Sequence, residues 1–448
     1  MGVVRDGALV DFFGHGLSDI ASRTPVTEDT VFRVASITKT FTAIAVLQLW
    51  EQGLVDLDAP ANHYLRAYRL IPAKPAFRPP TLRHLLTHTS GIGELRVLTD
   101  LFRPTLGSEV NSVRVPSLAE YYRSGLRVEV EPGTRFAYTD HGFATLGQIV
   151  EDVSEVPFDR YLREHVFGPL GMGNTDVVRD RVQPQLATGY VLRRGGLRSV
   201  TDRAVVVGGA GSVYSTTRDM ARYVAALLGG GANAHGSVLE PETLVTMFEP
   251  HYQPDPRIPG IGLAFFRGDA AGHLLVEHGG ILPGFSSQLF LAPDDGIGVL
   301  AFANMGSPAP LWLPWEVGAL LRLLLAAPDD AVRTDIPQHP ETWGDICGWY
   351  GPPGGLTGVR ALAMVGAAAK VAVRRGQLTI RGLSPLPPLL KGFRLHPDDE
   401  NDPYMFRVDL SRHGLGTCRI AFSREPETGT AALHLDVLPL SLKKRRTA

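Results

Sequence analysis

Phe32-Arg33-Val34-Ala35-Ser36-Ile37-Thr38-Lys39 runs directly into Thr40-Phe41-Thr42-Ala43-Ile44-Ala45-Val46-Leu47-Gln48-Leu49-Trp50, and Gly53 follows three residues later. The apolar run Ile44, Ala45, Leu47, Leu49 and Trp50 predicts a buried helix over residues 36–52, with Gly53 placed to stop it. Ser36 and Lys39 stand three apart at its start. Residues at that spacing share a helix face, so hydroxyl and amine can meet. A serine hydroxyl becomes a nucleophile when a base takes its proton, and a desolvated lysine can serve. The helix N-terminus adds free N–H groups and a positive partial charge suited to a developing oxyanion. Ser-x-x-Lys also arises by chance, and serine is a common helix cap. The setting at the head of an apolar helix favours catalysis.

Outward from this segment, residues 1–16 read as a hairpin turning at Asp6-Gly7. Helices are expected at 81–88, 140–153, 157–166 and from Thr217 to Leu228. Strand-like runs follow at Gly262–Phe266, His273–His278, Ser286–Ala292 and Gly298–Ala303, then an amphipathic helix over about 314–326. Hairpin, helices, strands and a last helix do not alternate as a doubly wound fold would. They predict an α+β domain whose antiparallel sheet is built from both ends of the domain and flanked by helices.

The segment 328–341, rich in Asp and Pro, reads as a linker. Beyond it, 342–448 carries short alternating runs such as Lys370–Val373, Gln377–Arg381, Phe406–Leu410, Thr417–Phe422 and Ala432–Val437. These predict a small β-barrel or sandwich. The expected organisation is therefore 1–327, a linker at 328–341, and a β-domain over 342–448. At 448 residues the chain exceeds what one core usually fills.

A net charge of −2 gives no general attraction to nucleic acid or to an anionic membrane. The run Lys443-Lys444-Arg445-Arg446 reads as a solvated tail. No apolar stretch is long enough for a membrane span, and no signal-like segment opens the chain. The two cysteines, Cys347 and Cys418, read as small buried hydrophobes. These features fit a cytoplasmic chain. The lopsided first hairpin points to residues upstream, which leaves room for a leader. His84 and His88 stand four apart but lack the Glu and third ligand of a zinc helix, so no metal and no organic cofactor is expected.

Two further segments complete a site. Tyr138-Thr139-Asp140 lies just before a helix, where Tyr138 could shuttle the Ser36 proton. His278-Gly279-Gly280 closes a predicted strand. Its glycines would let a substrate backbone approach, and the N–H of Ile281 could join that of Ser36 as an oxyanion hole.

Ser36-x-x-Lys39, Tyr138-x-Asp140 and His278-Gly279-Gly280, in that order, resemble the class C β-lactamase and penicillin-binding-protein-like serine hydrolases. Leu85-Leu86-Thr87-His88-Thr89-Ser90-Gly91, Pro169-Leu170-Gly171-Met172 and Gly209–Thr216 look like the same family. The resemblance spans about residues 2–326 and implies the β-lactamase/transpeptidase-like fold with an all-helical lobe. Several members carry an added C-terminal β-domain. It implies acyl transfer through Ser36, with Lys39, Tyr138 and His278 in proton handling and Asp140, Gly279 and Gly280 at the substrate.

Two positions depart from the pattern. Asp140 stands where Asn is usual and can only accept hydrogen bonds when ionised; it is expected to face Lys39 or a substrate amine. His278 stands where Lys is usual, so recognition of a substrate carboxylate is expected to be weak. Esterase or amidase action on a small ester or amide is thus favoured. A D-amino-acid-specific peptidase, an acyltransferase, a β-lactamase or DD-carboxypeptidase, and a non-catalytic penicillin-binding-like scaffold are the alternatives.

Overall fold

A computed structural model describes residues 1–110, 114–182, 185–328, 330–351, 358, 368–383, 387–413, 416–424 and 429–445. Strands β1 (Gly2–Arg5) and β2 (Ala8–Phe12) form the first hairpin. Asp6 and Gly7 both take positive φ, as a tight hairpin turn requires. Three helices follow that bear on the site: α1 (Thr38–Glu51), α2 (Asp140–Ser154) and α3 (Thr217–Leu228). Strands β3 (Phe266–Ala270), β4 (His273–Leu282), β5 (Phe285–Ala292) and β6 (Ile297–Ala303) precede α4 (Ala309–Leu324).

The sheet order is β3-β4-β5-β6-β1-β2, antiparallel throughout. The N-terminal hairpin thus docks on the last strand of the domain, as expected of a sheet made from both ends. Helices cover both faces. Val299, Ala301, Leu313, Val317 and Leu321 seal α4 to one face. The larger core, including α1, α2 and α3, lies on the other.

Helix α1 is buried from Thr38 through Leu49, on every side. An apolar helix with no polar face belongs in a core. Its threonines are satisfied there: Thr42 Oγ1 donates to the Gly209 carbonyl at 2.7 Å, and Thr40 Oγ1 accepts from the Tyr223 hydroxyl at 2.7 Å.

Three elements differ from expectation. The strand foreseen at Gly262–Phe266 begins only at Phe266. Ala264 is left-handed (φ 69°), and its N–H pairs with Leu86 rather than with a strand. Strand β4 runs on through Leu282, so His278 lies within it rather than at its end. The basic run is no free tail where it is described. Lys443 and Lys444 belong to a strand, Ser441–Lys444, paired with Gly348–Gly351 and Ala431–Leu435. Buried Leu440 and Leu442 draw it into the second core, and Lys444 Nζ donates to the Asp345 carbonyl at 2.8 Å. Arg446 lies outside the described residues.

The C-terminal region forms a nine-stranded antiparallel sheet that nearly closes into a barrel. Phe393–Arg394 pairs with Gln377–Gly382, and His396–Pro397 pairs with Met405–Asp409. One short segment, 393–397, therefore links the two ends of the sheet. The interior is filled by side chains such as Tyr350, Leu378, Phe406, Phe422 and Leu433. Trp315 of α4 lies against Gly416, where a Cβ would come within 2.7 Å of its ring.

Candidate active site

Ser36 sits in a single 3₁₀ turn, Ala35–Ile37, between the strand Val31–Arg33 and α1. From Thr30 to Leu49 every residue is buried except Ser36, which is partly accessible. The turn is strained. Ala35 holds φ +50°, a region that a residue with a Cβ occupies at a cost of roughly 1–3 kcal/mol. The surrounding contacts impose it. Val34 donates its N–H to the Val213 carbonyl at 3.0 Å, and its own carbonyl accepts from Ser287 Oγ at 2.8 Å.

Lys39 is fully buried beneath Ser36. Its Nζ donates to Ser36 Oγ at 3.0 Å, to Asp140 Oδ1 at 2.7 Å and to the Ala210 carbonyl at 2.9 Å. An ammonium has three donors, and here each meets an acceptor. Of the two partners foreseen for Asp140, a substrate amine or Lys39, the carboxylate faces Lys39. Ala210 was not legible as a partner, because a backbone carbonyl leaves no sequence mark. The small residues around it are the one trace. A Cβ on Gly209 would lie 2.5 Å from the Phe143 carbonyl, so glycine there lets this turn close on α2.

The Tyr138 ring lies over Lys39, with Nζ 4.9 Å from its centroid. His88 stacks on that ring at 4.2 Å with planes 29° apart. His88 is wholly buried, left-handed at φ 57°, and accepts the Thr139 N–H on Nδ1 at 3.2 Å. The Ala137 N–H donates to the His88 carbonyl at 2.8 Å. His88 thus splints the Tyr138 loop, and its place in Leu-Thr-His-Thr-Ser-Gly gave no hint of that task. His84, its neighbour by helical spacing, accepts the Thr81 N–H on Nδ1 at 3.1 Å and caps the short helix Leu82–Leu86. Among the described residues no group of His, Cys, Asp and Glu could hold a metal ion, and no helix is long and apolar enough to cross a membrane.

His278 enters from β4 and is 1% exposed. Burial first, and the Lys39 charge second, push its pKa down from 6.5 to about 3, so its ring is neutral. Its Nδ1 lies 2.7 Å from the Gly279 carbonyl. The adjacent glycines answer the chain's own packing. A Cβ on Gly280 would sit 2.4 Å from the Val34 carbonyl and 3.0 Å from Ala35 Cβ, and one on Gly279 would meet Gln288 Oε1 at 2.5 Å. Strand β4 therefore presses on the residues just before Ser36, and Ile281 is the next residue along it, its side chain 60% exposed. Phe266 closes the group, its ring 6.5 Å from Tyr138 and 5.7 Å from His278. The arrangement can hold a nucleophile, move its proton and present strand N–H groups beside it.

A sequence model of the beta-lactamase family matches residues 1–317. The putative penicillin-binding protein PbpX of Bacillus subtilis is 27% identical over 316 residues, covering 69% of this chain and 71% of PbpX. Esterase EstB of Burkholderia gladioli is 33% identical over 174 residues, 38% of this chain and 44% of EstB. The octameric penicillin-binding protein homologue from Pyrococcus abyssi aligns over 99% of this chain and 95% of its own, with a TM-score of 0.63 and 24% identity, a likeness of fold.

Proposed function

The chain belongs to the beta-lactamase family of serine hydrolases, and from that premise we propose that it cleaves small esters or amides, esters foremost, through an acyl-enzyme on Ser36. Ser36 Oγ attacks the carbonyl carbon. Lys39 and Tyr138 carry its proton, and Tyr138, helped by His278, delivers it to the leaving group. The N–H groups of Ser36 and Ile281 donate to the tetrahedral oxyanion. Water then releases the acyl group.

One observation carries the preference for esters: the Lys39–Asp140 pair at 2.7 Å. Asp140 balances the Lys39 charge, and His278 is neutral. Neither residue offers net positive charge to a carboxylate such as β-lactams and D-alanyl peptides bear. The esterase among the relatives supports the same reading. Purified protein is expected to turn over short-chain p-nitrophenyl esters with a kcat/KM at least about tenfold above that for a chromogenic cephalosporin, a gap of roughly 1.4 kcal/mol in transition-state binding. The reverse ranking would overturn the ester assignment. Retention of activity in Ser36→Ala would overturn the mechanism.

A further inference from the structure

The C-terminal barrel touches the catalytic domain at a place that leads directly to Tyr138. Between α3 and β3 the chain makes a closed loop, Tyr252 to Ile261. Its base is tied by Ile261 N–H to the Tyr252 carbonyl at 2.9 Å and His251 N–H to the Ile261 carbonyl at 2.9 Å. At its tip, Arg257 grips Asp255 in a two-pronged pair at 2.8 and 2.7 Å. The same guanidinium reaches the barrel twice, at Asp402 Oδ2 (2.7 Å) and at the Phe422 carbonyl (2.8 Å). Ile258, 1% exposed, inserts between Met405 and Ala421 of the barrel. A forked, charge-assisted contact joined to a buried apolar plug fixes orientation as well as distance.

From that loop two links run inward. The Tyr252 hydroxyl lies beside the backbone of Phe136, two residues before Tyr138. The second link is Phe266. Its neighbour Arg267 donates from Nε to the Pro259 carbonyl at 3.2 Å, which ties the start of β3 to the loop. The Phe266 ring then lies nearly parallel to Tyr138, 15° apart, and also contacts His278 and Phe136. Both proton-handling side chains thus rest against elements that the barrel holds.

We infer that the C-terminal β-domain is a positioning element of the active site, which sets the Tyr138 loop and Phe266 through the loop Tyr252–Ile261. This rests on the hydrolase reading above. Arg257, Tyr252 and Phe266 act through Tyr138 and His278, and none of the three is placed at the reacting atoms. A displacement of about 1 Å at Tyr138 is enough to change the rate by one to two orders of magnitude, so the barrel governs turnover more than ground-state binding.

The test uses the full chain. Tyr252→Phe removes one hydroxyl inside the catalytic domain, and Asp402→Ala removes one carboxylate on the barrel. Each is expected to lower kcat for a p-nitrophenyl ester about tenfold with KM within about twofold. The double variant is expected to fall no further than the worse single one, because both cut the same path. Wild-type kcat in both variants, with only a lowered Tm, would show that the barrel merely stabilises the fold. Should Asp402→Ala fail to fold, Tyr252→Phe decides alone, and an unchanged kcat there overturns the inference. A fluorophosphonate probe on the wild type separates the two levels: no labelling of Ser36 removes the hydrolase reading and the inference with it, whereas labelling at equal rates in wild type and variants removes the inference only.

Discussion

The proposed chemistry centres on Lys39, which is paired with Asp140 at 2.7 Å. Lys39 Nζ donates to Ser36 Oγ and to Asp140 Oδ1. An ammonium so engaged cannot at the same moment accept the Ser36 proton, so under the proposed mechanism the first transfer falls to Tyr138 while the Asp140 pair is intact. Asp140→Asn keeps the shape and removes the charge. It is expected to raise kcat/KM on simple acyl esters about tenfold, within the range of one acid–base contribution. Breaking a buried pair also lowers stability by up to about 3–5 kcal/mol, so the assay is run with Tm measured alongside. No change in rate would remove Asp140 from the proton path. His278 makes a second test. Its folded pKa of about 3 lies below the unfolded 6.5, so the unfolded chain binds the extra proton between those values, and stability falls as pH drops through that window. Half-buried Glu277, on the opposite face of β4, works the other way. Burial raises its pKa from 4.5 to about 7, so it erodes stability as pH rises from 4.5 toward 7. The two oppose each other between 4.5 and 6.5, and below 4.5 His278 acts alone. Denaturant unfolding of His278→Gln is expected to lose less stability than wild type between about pH 7 and about pH 4. An equal loss would mean that His278 is not held neutral by the fold.

At the scale of elements, the site is the contact between the Ala35–Ile37 turn and β4. Ala35 stays at φ +50° because Val213, Ser287 and Gly280 hold its neighbours. Gly280→Ala forces a Cβ onto the Val34 carbonyl, 2.4 Å away. Overpacking of this kind costs about 1–3 kcal/mol. The variant is expected to show a lower Tm and about tenfold slower ester hydrolysis, since relief moves β4 away from Ser36. A wild-type rate would mean that β4 does not set the site. The same contact explains what the sequence could tell. Ser36, Lys39, Tyr138, Asp140 and His278 could be singled out because the short motifs that hold them are local facts, although His278 lies inside β4 and not at its end. His88, Phe266 and the Ala210 carbonyl were not, because their tasks arise only when distant segments meet. The true start of β3 was hidden for a related reason. Gly262-Leu263-Ala264-Phe265 has strand-like content, but the partners of Leu263 and Ala264 are Met247 and Leu86, far away in the chain.

At the scale of the whole molecule, two cores are joined where the Arg257 loop and Trp315 meet the barrel. The α+β class was readable from the order of elements, and the second core from its short alternating runs. The last strand was missed because Lys443 and Lys444 look like a solvated tail, while burial of Leu440 and Leu442 outweighs that composition. Everything in this architecture converges on one accessible hydroxyl in a buried segment. The decisive measurement is intact and peptide mass analysis of the full chain, quenched during turnover of a p-nitrophenyl ester. One acyl group on the peptide containing Ser36, absent in Ser36→Ala, is the expected result. Turnover with no acyl group on Ser36, or with full activity in Ser36→Ala, would contradict it.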